Sequence, residues 1–195
     1  MKSINHKILV FVIMSFVFAF CKEEPKFDEK LYSAELSGYA KEYLLGLKSV
    51  LMKNMHEGGP LKAVTVCSDT ASDLTKLYSE VMKLEVKRVS FNNRNSENFP
   101  DEFEKEGIKE FEKLFAENKI NSETEIIKKI NVDGKESIRF MKPIIIEAPC
   151  LNCHGSENEI IPEVKDLIQK KYPYDKATGY KIGDLRGAIS ITKKL

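Results

Sequence analysis

ETEIIKKINVDGKESIRFMKPIII, residues 123–146, holds two runs rich in β-branched residues on either side of Asp133-Gly134. Both central positions of a two-residue type I′ turn need positive φ, which Asp and Gly tolerate, so the stretch predicts an antiparallel hairpin. Pro143, late in the second run, has no N–H to give to a ladder and predicts a sheet edge or a bulge. Residues 84–91 are also β-branched and extended in character, and LRGAISI at 185–191 alternates like a final strand. Upstream of the hairpin the period changes to that of helices. Helices first and antiparallel strands later predict an α+β fold, an antiparallel sheet flanked by helices with a long N-terminal helix.

That helix is read from apolar positions at Leu36, Ala40, Tyr43, Leu47 and Val50, widened by Leu44, Leu51 and Met55. Gly58-Gly59-Pro60 ends it, and Pro60 suits the first position of a second helix. The stripe of the second, Val64, Cys67, Ala71, Leu74 and Tyr78, turns Cys67 inward. A third helix is expected from about Pro100, carrying Ile108, Phe111, Leu114 and Phe115, and a short one over 161–171.

The chain has 195 residues, suited to one domain, and its 42% hydrophobic and 31% charged residues exclude a polytopic membrane protein. Thirty-one basic against 30 acidic residues, with no basic stripe, argue against nucleic acid as a partner. Residues 1–20 read as a signal peptide: Lys2 and Lys7 precede an apolar run from Ile8 to Phe20, too short to span a bilayer. Cys21 ends the run where a bacterial lipoprotein signal would place its lipidated cysteine. An exported protein of the periplasm or cell envelope follows, anchored to a membrane through lipid on Cys21. Residues 21–30 read as a solvated tether and 31–195 as the domain. Without residues 1–20 the chain carries 29 basic and 30 acidic residues, so electrostatic attachment to an anionic bilayer is not expected.

Cys150-Leu151-Asn152-Cys153-His154 is C-x-x-C-H, the pattern of c-type haem attachment. Two thiols at this spacing can add to the two vinyl groups of one porphyrin, and the adjacent imidazole then serves as an axial ligand of its iron. One covalent haem c is the expected cofactor. A Cys150–Cys153 disulfide or redox pair, and zinc held by Cys67, Cys150, Cys153 and His154, are the competing readings of the same residues. For the second axial position spacing leaves His56, Met52, Met55, Met82, Met141 and Cys67 open, since His6 departs with the signal.

From Leu36 to its C-terminus the chain resembles the Tll0287-like family of haem-binding sensor domains. The resemblance is carried by Gly58-Gly59-Pro60 with Ala63-Val64-Thr65-Val66-Cys67, and by Arg94-Asn95 with Asn98 and Pro100. It continues through Lys142-Pro143-Ile144, the motif with Gly155, residues 172–180 (YPYDKATGY) and residues 183–188 (GDLRGA). It departs from the family at Ser96, where a proline is common, and at Lys87-Arg88-Val89-Ser90, a looser form of an arginine-containing strand. The resemblance implies a PAS-like sheet and a covalent haem with His154 and Cys67 as the axial pair. It also implies pocket or propionate contacts from Arg94, Tyr172 and Tyr180.

An anionic thiolate favours ferric over ferrous iron, so such a site would have a low potential, and reduction with protonation would favour loss of the sulfur. A redox or small-gas sensor is the function this implies. An electron-transfer cytochrome with fixed ligation is the alternative, and a peroxidase-like enzyme would need an open distal site with an acid–base group such as His56. Four residues after Ile191 leave no output domain, so a signal would pass to a separate signalling or redox partner protein. The long N-terminal helix could serve as a homodimer arm.

Overall fold

In the computed structural model, residues 27–195 are described; residues 1–20, expected to be a signal peptide, and Cys21 lie outside them. The hairpin forms as the sequence predicts, with Asp133 and Gly134 at φ 52 and 77. It joins β2 (Ile126–Val132) to β3 (Lys135–Ile145), and β1 (Glu85–Val89) and β4 (Leu185–Lys194) complete one antiparallel sheet in the order β1-β4-β3-β2. Pro143 sits on an inner strand, but beyond the last β2 partner, Met141, and just before a register shift at Ile144/Ile145. The edge and the bulge that its missing N–H requires are thus both at hand.

Alternation along the strands gives the sheet two apolar faces. Val86, Ile138, Phe140, Ile189 and Ile191 pack against Leu36, Ala40 and Tyr43 of α1 (Glu29–Met82). Val89, Met141 and Ala188 pack against Ile108 and Phe111 of α2 (Glu102–Ala116) on the other. Asp101 and Glu104 form a reciprocal capping box at the start of α2, which fixes its first turn two residues after Pro100. Glu104, only 1% exposed, is held by Arg139 and Lys87.

α1 is one run broken by Gly58 and Gly59, whose φ/ψ of −162/21 and 68/−168 are not helical. Its second arm folds back on the first. The Tyr43 hydroxyl meets Thr75 Oγ1 at 2.8 Å, and the Tyr43 and Tyr78 rings cross at 5.5 Å and 82°. Only glycine readily takes the Gly59 conformation, so the Gly-Gly-Pro stop is a hairpin bend. The fold also begins earlier than the tether expected to run through residue 30: Asp28 caps Leu31, and Phe27 stacks on Tyr32. Leu44 packs into the core, and the outward large apolar residues of the first arm are Leu31, Leu45 and Met52.

Candidate functional site

The motif lies on a turn (Ala148–Cys150) running into one helical turn, α3 (Leu151–His154), followed by α4 (Pro162–Lys171). Cys67, Cys150 and Cys153 are free thiols, so no disulfide joins the motif pair. Among the described residues no three His, Cys, Asp or Glu side chains converge as a metal site, and the zinc arrangement of Cys67, Cys150, Cys153 and His154 is not formed. Cys153 packs against Val64 of α1 and Ile160, Val164 and Ile168 around α4. This apolar cluster puts the second arm of α1, which carries Cys67, against the motif.

His154 Nδ1 lies 2.6 Å from the Ala177 carbonyl oxygen. A carbonyl only accepts, so Nδ1 carries the proton and Nε2 keeps its lone pair. Burial, with the charges of Arg94 and Arg186, holds the imidazole well below the ordinary histidine range against the opposing Ala177 bond; Arg88 adds to the lowering. Tyr180 meets the ring edge-on with centroids 6.4 Å apart. The ring is therefore neutral, fixed in one tautomer and braced, as a histidine ligand requires.

Arg94 and Asp175 fasten this arrangement together. Arg94 donates from Nη2 to the Cys153 carbonyl at 2.6 Å and the Ala177 carbonyl at 3.3 Å, and from Nε to Asp175 Oδ2 at 3.2 Å. Asp175 Oδ1 accepts from the Ala177 N–H at 2.9 Å. Gly179 and Tyr180 donate their N–H groups to the Gly155 and His154 carbonyls. The 175–180 loop is thus laced to the motif on one side and to the 93–94 loop on the other.

The Cys67 thiol is pushed up by burial and drawn down by the Arg88 guanidinium, which also acts on His154. Burial raises Cys153 as well; Arg94 opposes it, while Cys67 and Cys150 add to the rise. Cys67, Arg88, Cys153 and His154 hence lie within one electrostatic neighbourhood. Two exposed ion pairs tie the α1 arms to this region, Lys48–Glu147 at 2.5 Å and Lys171–Asp69.

Cys67, Cys150, Cys153, His154, Arg94 and Tyr180 are brought together. Tyr172 contributes backbone contacts, closing α4 on Ile168 and accepting from the Asp175 N–H. His56 is exposed beside the bend, Met52 is 43% exposed, and Met141 is buried under α2, while Met82 packs on the α1 core. Asp175, Ala177, Arg88 and Arg186 were missed as site residues. An acid that could partner Arg94 was visible in YPYD, whereas nothing in a sequence marks the Ala177 carbonyl as an acceptor.

Comparison with curated proteins finds no match to this sequence. Among solved structures, the crystal structure of the cyanobacterial heme-protein Tll0287 is similar, with a TM-score of 0.60 and 22% identity over 82% of this chain and 95% of that one. At that identity the likeness speaks for the fold. The Tll0287-like family model matches residues 22–193, and by that match the chain belongs to the Tll0287-like family.

Proposed function

We propose that this chain is an exported haem c protein acting as a redox sensor, with one porphyrin attached through Cys150 and Cys153 and with His154 and Cys67 as axial ligands. One observation carries the reading. Beside two free thiols at the attachment spacing, His154 is neutral and held through Nδ1 by Ala177, leaving Nε2 for a metal. Tll0287, the similar solved protein, is a heme-protein, and the shared family supports the same cofactor here. Cys67 sits, partly buried, on the arm that packs against the motif, which supports it over the exposed His56 and Met52.

Haem supplies a one-electron iron couple whose potential its axial ligands set. The chain supplies the rest. Ala177 and Tyr180 keep the His154 ring from rotating, Arg94 and Asp175 hold the loop that carries Ala177, and the apolar residues around Cys153 limit water. Cys67 rides on an arm that begins at the Gly58–Gly59 bend, so if it held the haem iron, gain or loss of that bond would act on that arm. Signal transfer to a separate partner protein, and a lipid on Cys21 holding the molecule at a membrane, complete the proposal.

The test is the absorption spectrum of the oxidised and reduced protein, for wild type and Cys67→Ser. The oxidised wild type should show a thiolate-to-iron charge-transfer band that the variant lacks, and reduction should remove that ligation. A band unaffected by Cys67→Ser removes Cys67 from the iron. Identical ligation in both oxidation states favours an electron-transfer cytochrome instead.

A further inference from the structure

β3 and β4 pair regularly up to Ile144↔Gly187, but the next pair is Ile145↔Leu185, which leaves Arg186 as the unopposed residue of a bulge. Bulges re-aim one side chain out of a ladder. Gly187 permits this one: its φ is 147, and a Cβ there would lie 2.2 Å from the Val89 carbonyl oxygen. The half-buried Arg186 guanidinium donates from Nη1 to the Asn92 carbonyl at 3.0 Å and lies over the Tyr180 ring, 5.4 Å from its centroid. Tyr180 is the residue that braces His154.

Among the described residues Arg186 makes no ion pair, although it lines a small cavity with Ser90, Asn92, Tyr180 and Glu112. Glu112 is not within salt-bridge distance, and Asp175 is paired with Arg94. Burial lowers the Arg186 pKa, the cost of holding this cation away from water, with Tyr180 opposing that loss. A guanidinium fork that is partly dehydrated, fixed by a carbonyl and a ring, feeling the Asp175 charge but with no ion-pair partner of its own among the described residues, matches a carboxylate receptor.

We propose that Arg186 binds a propionate carboxylate of the haem. The inference rests on His154 as iron ligand: Arg186 lies over the Tyr180 ring that meets the His154 ring edge-on, and its charge acts on that imidazole, so it stands beside the group that would hold the porphyrin. Arg94, the other arginine at the motif, is already committed to Asp175 and two carbonyls. A cation on a propionate also favours the more negative, reduced site, so Arg186 raises the potential that the thiolate lowers.

The experiment compares haem-loaded wild type, Arg186→Gln and Arg186→Lys by redox titration and by the propionate bending band in resonance Raman spectra. Arg186→Gln should lower the midpoint potential and shift the band. Arg186→Lys should restore part of the potential yet still shift the band, because an ammonium lacks the planar fork. A loaded Gln variant with wild-type potential and band overturns the inference and leaves the haem reading intact. If the Gln variant does not load, an unshifted band in the Lys variant overturns it. Wild type that carries no haem removes the underlying reading, and this assignment with it.

Discussion

Arg94 is 14% exposed and Asp175 7%, and between them they fix the loop whose Ala177 carbonyl orients His154. Removing one partner of such a pair leaves a charge in a poorly hydrated place. Asp175→Ala should therefore cost about 3 kcal/mol in urea unfolding, and should disturb the His154 environment although Asp175 does not touch the ring. The sequence made Arg94 noticeable as a pocket contact, yet its partners lie 59 to 83 residues away in the chain. Such pairings depend on which loops the sheet brings together, so the sequence alone does not show that this guanidinium holds a loop. The motif is the opposite case: five consecutive residues contain both thiols and the imidazole, and their chemistry needs no tertiary context to be read.

At the level of elements, two glycines carry conformations that other residues resist. Gly59→Ala should destabilise the protein by about 2 kcal/mol, because φ 68 with ψ −168 strains any residue with a Cβ. It should also loosen the Tyr43–Tyr78 contact, which near-ultraviolet circular dichroism would detect. Gly187→Ala combines a strained backbone with a clash on Val89 and should cost about 3 kcal/mol. The capping box of α2 gives a pH dependence. Burial alone would raise Asp101, but the Glu104 N–H and Arg139 outweigh it and hold the carboxyl below the ordinary aspartate value. A depressed folded pKa contributes stability above the unfolded value of about 4 that is lost as pH falls further. Asp101→Asn, which keeps the cap without the titrating charge, should flatten the loss of stability between about pH 5 and 3 by part of its depth, followed by urea midpoints. The break at Gly58-Gly59-Pro60 and the hairpin were legible because each is set by a few adjacent residues. Pro143 signalled an edge or a bulge in β3, but not that Arg186 of β4 would be the residue left unopposed, since that depends on the register in which β3 and β4 pair.

For the whole molecule, a four-stranded sheet with α1 on one face and α2 on the other leaves the motif, α4 and the start of the second arm of α1, at Val64, as a separate packed group. The periodicities separated helices from strands correctly, but they did not say that the two arms of α1 fold against each other and carry Cys67 to the motif. That placement came from Tyr43 meeting Thr75 and Tyr78, contacts between residues more than 30 apart in the chain. The central claim is that haem is covalently held at Cys150 and Cys153. The direct measurement is absorption of the full chain matured with a cytochrome c assembly system, before and after extraction with acidified acetone. The colour should remain with the protein after extraction, whereas a colourless product, or pigment that leaves with the solvent, would contradict the claim.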